Sequence, residues 1–125
     1  MIHAIIADEI LLDRKKLRSY LESIGVHIKS ETGNAVHAFN EFRIFRPEMV
    51  FLSLNLSTAD TISCMRRIKE TEEETIVILI GEESDRRQIF EGLEAGADEY
   101  IYKPYQMKQI EKVVLKVLSD AGKGL

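Results

Sequence analysis

The chain predicts an α/β fold of the doubly wound kind, a five-stranded parallel sheet with helices on both faces, and three observations carry that prediction. Five short apolar runs recur along its 125 residues. A stretch of helical period follows each of them, and strands that alternate with helices give a parallel sheet covered on both sides. The third and fourth runs, Met49-Val50-Phe51-Leu52 and Ile76-Val77-Ile78-Leu79-Ile80, show no polar alternation, which belongs to central strands buried on both faces.

The elements follow in order. Ile2 to Ala7 forms the first strand, and the helix after it places Leu17, Leu21 and Ile24 on one face before Gly25, whose missing Cβ permits a left-handed turn. Val26 to Lys29 alternates and belongs at a sheet edge. Ala35, Ala38, Phe39, Phe42 and Phe45 recur at helical spacing, and Pro47 prevents that helix from continuing. Met49 to Leu54 is the third strand, followed by a helix with Ile62, Met65 and Ile68 inward. Thr75 to Ile80 is the fourth, followed by a helix with Ile89, Phe90 and Leu93 inward and Gly96 at its end. Glu99 to Tyr102 is the fifth, and the last helix repeats Ile110, Val113, Val114, Val117 and Leu118, the clearest amphipathic stripe in the chain. All five stripes read as core. Residues 1–119 make one domain, and residues 120–125 a frayed tail or the start of a linker.

Composition excludes several function classes. A net charge of −4 without a long Lys/Arg stripe argues against direct nucleic-acid binding. Cys64 is the single cysteine, so no internal disulfide or cysteine-rich zinc site is available, and a reducing compartment is the expectation. No apolar stretch approaches the roughly 20 residues of a membrane span, and the short N-terminal run passes straight into acidic residues, so a cytoplasmic protein is expected. His3, His27 and His37 are scattered without metal-ligand spacing. The acidic stretch Glu70 and Glu72 to Glu74 reads as a solvated loop.

In an open parallel sheet, ligands gather at the carboxyl ends of the strands. Here those ends carry Asp8-Glu9, Ser53-Leu54-Asn55, Gly81-Glu82 and Lys103-Pro104. The acidic pair, the Gly96-Ala97-Asp98 turn before the fifth strand and the Lys-Pro after it, in this order on a five-fold strand-helix alternation, make the chain similar to the response-regulator receiver domain of two-component signalling in bacteria. The segment Gly92 to Pro104 is the most specific part of the resemblance, which spans nearly the whole chain. It implies a flavodoxin-like (βα)5 fold with strand order 2-1-3-4-5. In such domains three carboxylates hold Mg²⁺, and the third is the nucleophile that accepts a phosphoryl group. A lysine then pairs with the phosphoryl oxygens, a Ser/Thr hydroxyl after the fourth strand bonds to them, and an aromatic residue on the fifth strand turns inward.

Carried over residue by residue, the resemblance assigns Asp8 and Glu9 as metal-binding acids and Asn55 as the donor of a backbone carbonyl to the metal. It assigns Lys103 as the phosphate-pairing lysine and Tyr100 as the switch. Two positions depart from the pattern. Ser53 stands where the acceptor aspartate belongs, and Gly81 where the hydroxyl belongs; a count shifted by one gives Ile80, equally unable to bond. Ser57-Thr58 also replaces the Pro-Gly common after the acceptor, so that loop is expected to differ in shape.

The resulting expectation is a degenerate receiver, or pseudo-receiver: a protein-interaction module without turnover, indifferent to phosphorylation, needing no cofactor beyond a weak or vestigial Mg²⁺ site at Asp8, Glu9 and Asn55. Lys103 is expected to pair directly with Asp8 or Glu9. By family analogy the partners are another receiver, a histidine kinase or an output domain, with homodimerisation through the fourth helix, fifth strand and fifth helix. Tyr100, Tyr102 and Tyr105 are the expected partner face, since tyrosine offers an apolar body with a polar tip. Two rivals remain. Ser53 or another residue accepts a phosphoryl group with Mg²⁺ at Asp8 and Glu9, either of which could serve Ser53 as a base, or the domain binds a small molecule in the manner of a flavodoxin. The second is disfavoured because the acidic loop after the first strand repels phosphate.

Overall fold

A computed structural model describes residues 1–125. Five strands, β1 (His3–Ala7), β2 (His27–Thr32), β3 (Met49–Ser53), β4 (Ile76–Gly81) and β5 (Glu99–Tyr102), form one parallel sheet in the order β2-β1-β3-β4-β5. Five α-helices cover it: α1 (Leu11–Ser23), α2 (Ala35–Phe45), α3 (Thr61–Thr71), α4 (Arg86–Glu94), led in by a short 3-10 turn at Glu83–Asp85, and α5 (Met107–Asp120). This is the doubly wound order expected from the sequence.

Alternation along the strands divides the core in two, because successive side chains of a strand point to opposite faces. Ala4, Ile6, Met49, Phe51, Ile76, Ile78 and Ile80 face α1 and α5, where they meet Leu17, Leu21, Ile110, Val114 and Leu118. Ile5, Ala7, Val50, Leu52, Val77 and Leu79 face the other way, against Phe39 and Phe42 of α2 and Cys64, Met65 and Ile68 of α3. Every residue of β3 and β4 is buried, as their unbroken apolar runs require.

Helix boundaries follow local chemistry. Gly25 ends α1 with a φ of +97°. Asn34 caps α2 by accepting the His37 N–H at 3.0 Å, and Asp60 caps α3 by accepting the Ser63 N–H at 3.0 Å. The second strand runs later than expected, from His27 to Thr32, and its pairing with β1 slips between Ala4 and Ile5, leaving Lys29 out of register. It lies at the sheet edge, as its alternation requires.

Two residues expected in the core are not there. Phe45, in the last turn of α2, is 42% exposed, and Phe90 of α4 is 50% exposed. On α4 the buried positions are Ile89 and Gly92. A Cβ at Gly92 would collide with Leu79 Cδ1, so the helix meets the sheet along the line of the glycine and Phe90 turns away. His3 and His27, distant in sequence, sit edge to face with ring centroids 5.5 Å apart, at the amino end of the strands and away from the site. No helix is long and apolar enough to cross a membrane.

Candidate functional site at the carboxyl ends of the strands

β1 runs out into Asp8, which is completely buried. One carboxylate oxygen, Oδ1, accepts the Ile10 N–H at 2.9 Å, and the Asp8 carbonyl accepts from Arg14 Nη1 at 2.7 Å. Arg14, Lys15 and Arg18 of α1 converge on Glu31 of β2, at 3.3, 3.1 and 2.9 Å, which fastens the start of α1 to the edge of the sheet. Burial alone would push the Glu31 carboxyl up, but the hydrogen bonds from these three cations outweigh it and hold the group below the usual range.

From the other side, β5 delivers Lys103. The peptide between Lys103 and Pro104 is cis. The Lys103 ammonium lies 2.7 Å from Asp8 Oδ2, in ion-pair contact but outside hydrogen-bonding geometry. It donates a well-formed hydrogen bond of 2.7 Å to Asp13 Oδ2, in the first turn of α1. Burial works against the charged lysine, yet its contacts with Asp13 and Asp8 prevail and raise its pKa. The expected direct pairing of Lys103 is thus with Asp8. Asp13 is a second partner that the motif reading passed over.

Ser53, the last residue of β3, is completely buried, and its only side-chain hydrogen bond is accepted from the Asn55 N–H at 3.1 Å. The hydroxyl folds back on its own loop, as a serine in a turn does. Its carbonyl accepts from Thr61 Oγ1 at 2.7 Å, tying the strand end to α3. No carboxylate oxygen is hydrogen-bonded to Ser53 Oγ, so nothing in place would activate it as a nucleophile.

Gly81 closes β4. A Cβ there would lie 3.1 Å from Leu54 Cδ1 and 3.2 Å from both Cβ and Oδ2 of Asp85, whose carboxylate turns back to accept the Glu82 N–H at 2.8 Å. The space beside the strand end, where the resemblance places a hydroxyl, is filled by leucine and a carboxylate. After Asn55 the loop bends through Thr58 with a φ of 77°, and Ser57 and Thr58 bond to Gly33 and Asn34 across the site. Through these bonds the loop that holds Ser57-Thr58 bridges to the β2–α2 turn.

The residues assigned to a divalent cation fit it poorly. Asp8 Oδ2 already faces the Lys103 ammonium, Glu9 is exposed, and a serine occupies the third carboxylate position. The Asn55 carbonyl accepts the Glu9 N–H at 3.3 Å. No group of three or more His, Cys, Asp or Glu side chains is arranged to hold a metal.

Of the three tyrosines expected on a partner face, two remain available. Tyr100 and Tyr102 are half-buried on β5 with ring centroids 5.0 Å apart, and Tyr100 borders a shallow groove with Gln109, Lys112 and Lys116 of α5. Tyr105 does not belong with them. It is 7% exposed, packed into the core between α1 and α5, and its hydroxyl is buried without a partner. Burial, with Asp8 and Asp13 nearby, pushes its phenol far up. The turn after Pro104 carries the ring inward, which strand alternation alone could not foretell.

Comparison with known proteins agrees with the fold. The family model of the response regulator receiver domain matches residues 4–115. The chemotaxis protein CheY of Bacillus subtilis (strain 168) is 22% identical over 120 residues, covering 95% of this chain and 100% of that protein. A probable transcriptional regulator, ycf27 of Guillardia theta, is 29% identical over 121 residues, covering 95% of this chain and 46% of that one. Among solved structures, the receiver domain of NtrX from Brucella abortus superposes with a TM-score of 0.87 at 20% identity, over 93% of this chain and 98% of that one.

Proposed function

The chain belongs to the response regulator receiver domain family of two-component signalling, and on that premise we propose that it is a pseudo-receiver, a cytoplasmic module that signals by binding a protein partner rather than by accepting a phosphoryl group. The observation that carries this reading is Ser53: a buried hydroxyl, folded back on the Asn55 N–H, where a receiver needs a carboxylate nucleophile. Gly81 supports it, since a bonded phosphoryl oxygen would find no hydroxyl there and Asp85 would repel it. In this reading no metal is required, no turnover occurs, and the conformation that a partner sees does not depend on a phosphodonor. The partner is a second receiver, a histidine kinase or an output domain, met through Tyr100 and Tyr102 on β5 and the neighbouring faces of α4 and α5, where Phe90 lies exposed.

The test is an amide-resolved NMR titration with Mg²⁺ and then beryllofluoride, a phosphoryl mimic. The expected result is no beryllofluoride-dependent movement of the signals of Ser53, Gly81, Tyr100 and Lys103. Joint, saturable shifts of Tyr100 and Lys103 would overturn the proposal and return the chain to the phosphate-sensing receivers.

A further inference from the structure

Removing an acceptor carboxylate from a receiver-like site ought to leave the lysine facing it short of negative charge. Here Lys103 is not short of it. Its side chain is 9% exposed and stands between two carboxylates, Asp8 Oδ2 and Asp13 Oδ2, each at 2.7 Å. Asp13 is not part of the strand-end motif. It lies five residues beyond Asp8 on a different element, and its side chain is 30% exposed.

Local helix chemistry explains why Asp13 is free for this contact. Ile10 occupies the cap position of α1, so Asp13 is the third helical residue, where an acidic side chain ordinarily reaches back to accept the cap N–H. That N–H is already taken by Asp8 Oδ1 at 2.9 Å. The Asp13 carboxylate therefore stays at the positive end of the helix, which favours it, while it reaches across to Lys103. Arg14, the next residue, holds the Asp8 carbonyl and Glu31, so the helix turn that presents Asp13 is fixed to the sheet at both sides.

We propose that Asp13 stands in for the carboxylate missing at position 53: as a positioning residue, it shares the Lys103 ammonium with Asp8 and holds the β5–α5 turn against α1 in one arrangement. This rests on the pseudo-receiver reading and extends it, because it supplies what keeps such a site closed once the acceptor is gone. With no acceptor left to be phosphorylated, the ammonium stays shared between Asp8 and Asp13, and the segment that carries Tyr105 into the core stays in place without a signal.

The experiment exchanges one carboxylate for the other. Urea unfolding and amide spectra are recorded for the native chain, Asp13→Asn, Ser53→Asp and the double variant. Asp13→Asn in the native background is expected to raise the unfolding constant about tenfold, in the range of a charged hydrogen bond discounted for partial exposure, and to move the amide signals of Lys103 and Tyr105. With Ser53→Asp present, the same substitution is expected to change the unfolding constant less than about twofold, since Lys103 regains a second anion. Equal effects in both backgrounds, or no effect in either, would overturn the surrogate role. Should Ser53→Asp fail to fold, Asp13→Asn is repeated in a Lys103→Met background. An effect that vanishes there sustains the proposal, and an undiminished one ends it. A beryllofluoride response in the native chain would remove the pseudo-receiver reading itself, whereas a silent native chain with no coupling between residues 13 and 103 removes only the surrogate.

Discussion

Replacing Lys103 by Met removes the only cation facing Asp8 while nearly preserving side-chain volume, so the cost reports charge rather than a cavity. Asp8 is completely buried, and Arg14 reaches its carbonyl rather than its carboxylate, so no other cation takes over. Stripping one partner from a buried pair costs about 3–5 kcal/mol, because the other charge is left uncompensated. Asp13, with 30% of its side chain exposed, turns to water, so losing its bond adds only the tenfold expected of that pair, about 1.4 kcal/mol. The lysine's own pKa is raised, so its stabilisation is complete below the ordinary lysine value of 10.5 and is lost only as pH rises through the higher folded one. Urea unfolding followed by far-ultraviolet circular dichroism at pH 7 measures the loss. An unchanged midpoint there would refute the reasoning.

Two further outcomes test the supporting structure. Glu31→Gln is expected to cost about 1 kcal/mol at pH 7, since the group is ringed by three cations near the surface. Because its folded pKa is lowered, that difference is present above the ordinary carboxylate range and disappears as pH falls through the folded value, so native and variant unfolding curves should converge at acid pH. Cys64, 4% exposed, has its thiol pushed up to about 11 by burial, with Arg67 opposing. It should resist alkylation in the folded chain at neutral pH, and it should contribute about 2–3 kcal/mol to the stability lost between the ordinary thiol range and pH 11, where the unfolded chain releases its proton first. Cys64→Ala, unfolded in parallel across that range, should show an alkaline slope shallower by that amount, the rest coming from Tyr105 and Lys103.

The architecture was legible because it rests on patterns that burial enforces. Unbroken apolar runs at β3 and β4 could only be central strands, and alternation in β2 could only be an edge. Helical period was less informative about direction. Ile89 and Phe90 are neighbours in the same stripe, and the residue that decides between them is Gly92, whose want of a side chain marks the line of contact with Leu79. The site was legible to the extent that it lies in strand ends: Asp8, Ser53, Gly81 and Lys103 all stand there, and Lys103 meets Asp8. Asp13 escaped because its contribution comes from a helix turn whose cap N–H is satisfied by another residue, a competition that no spacing rule records. Tyr105 escaped for a related reason, since the chain leaves strand geometry after Lys103 and the alternation of sides no longer holds.

The bond from Lys103 to Asp13 joins residues 90 apart, from the first helix to the end of the last strand. Contacts that close so large a loop form only after the intervening segments have been gathered, and their entropic cost has been met by other pairings. During synthesis Asp8 therefore leaves the ribosome long before its counterion exists, and β1 can enter the interior with a charged end only once the last strand has been made. The ion pair thus couples the first strand of the domain to the last, and makes completion of β5 the event that renders the first strand's burial permanent.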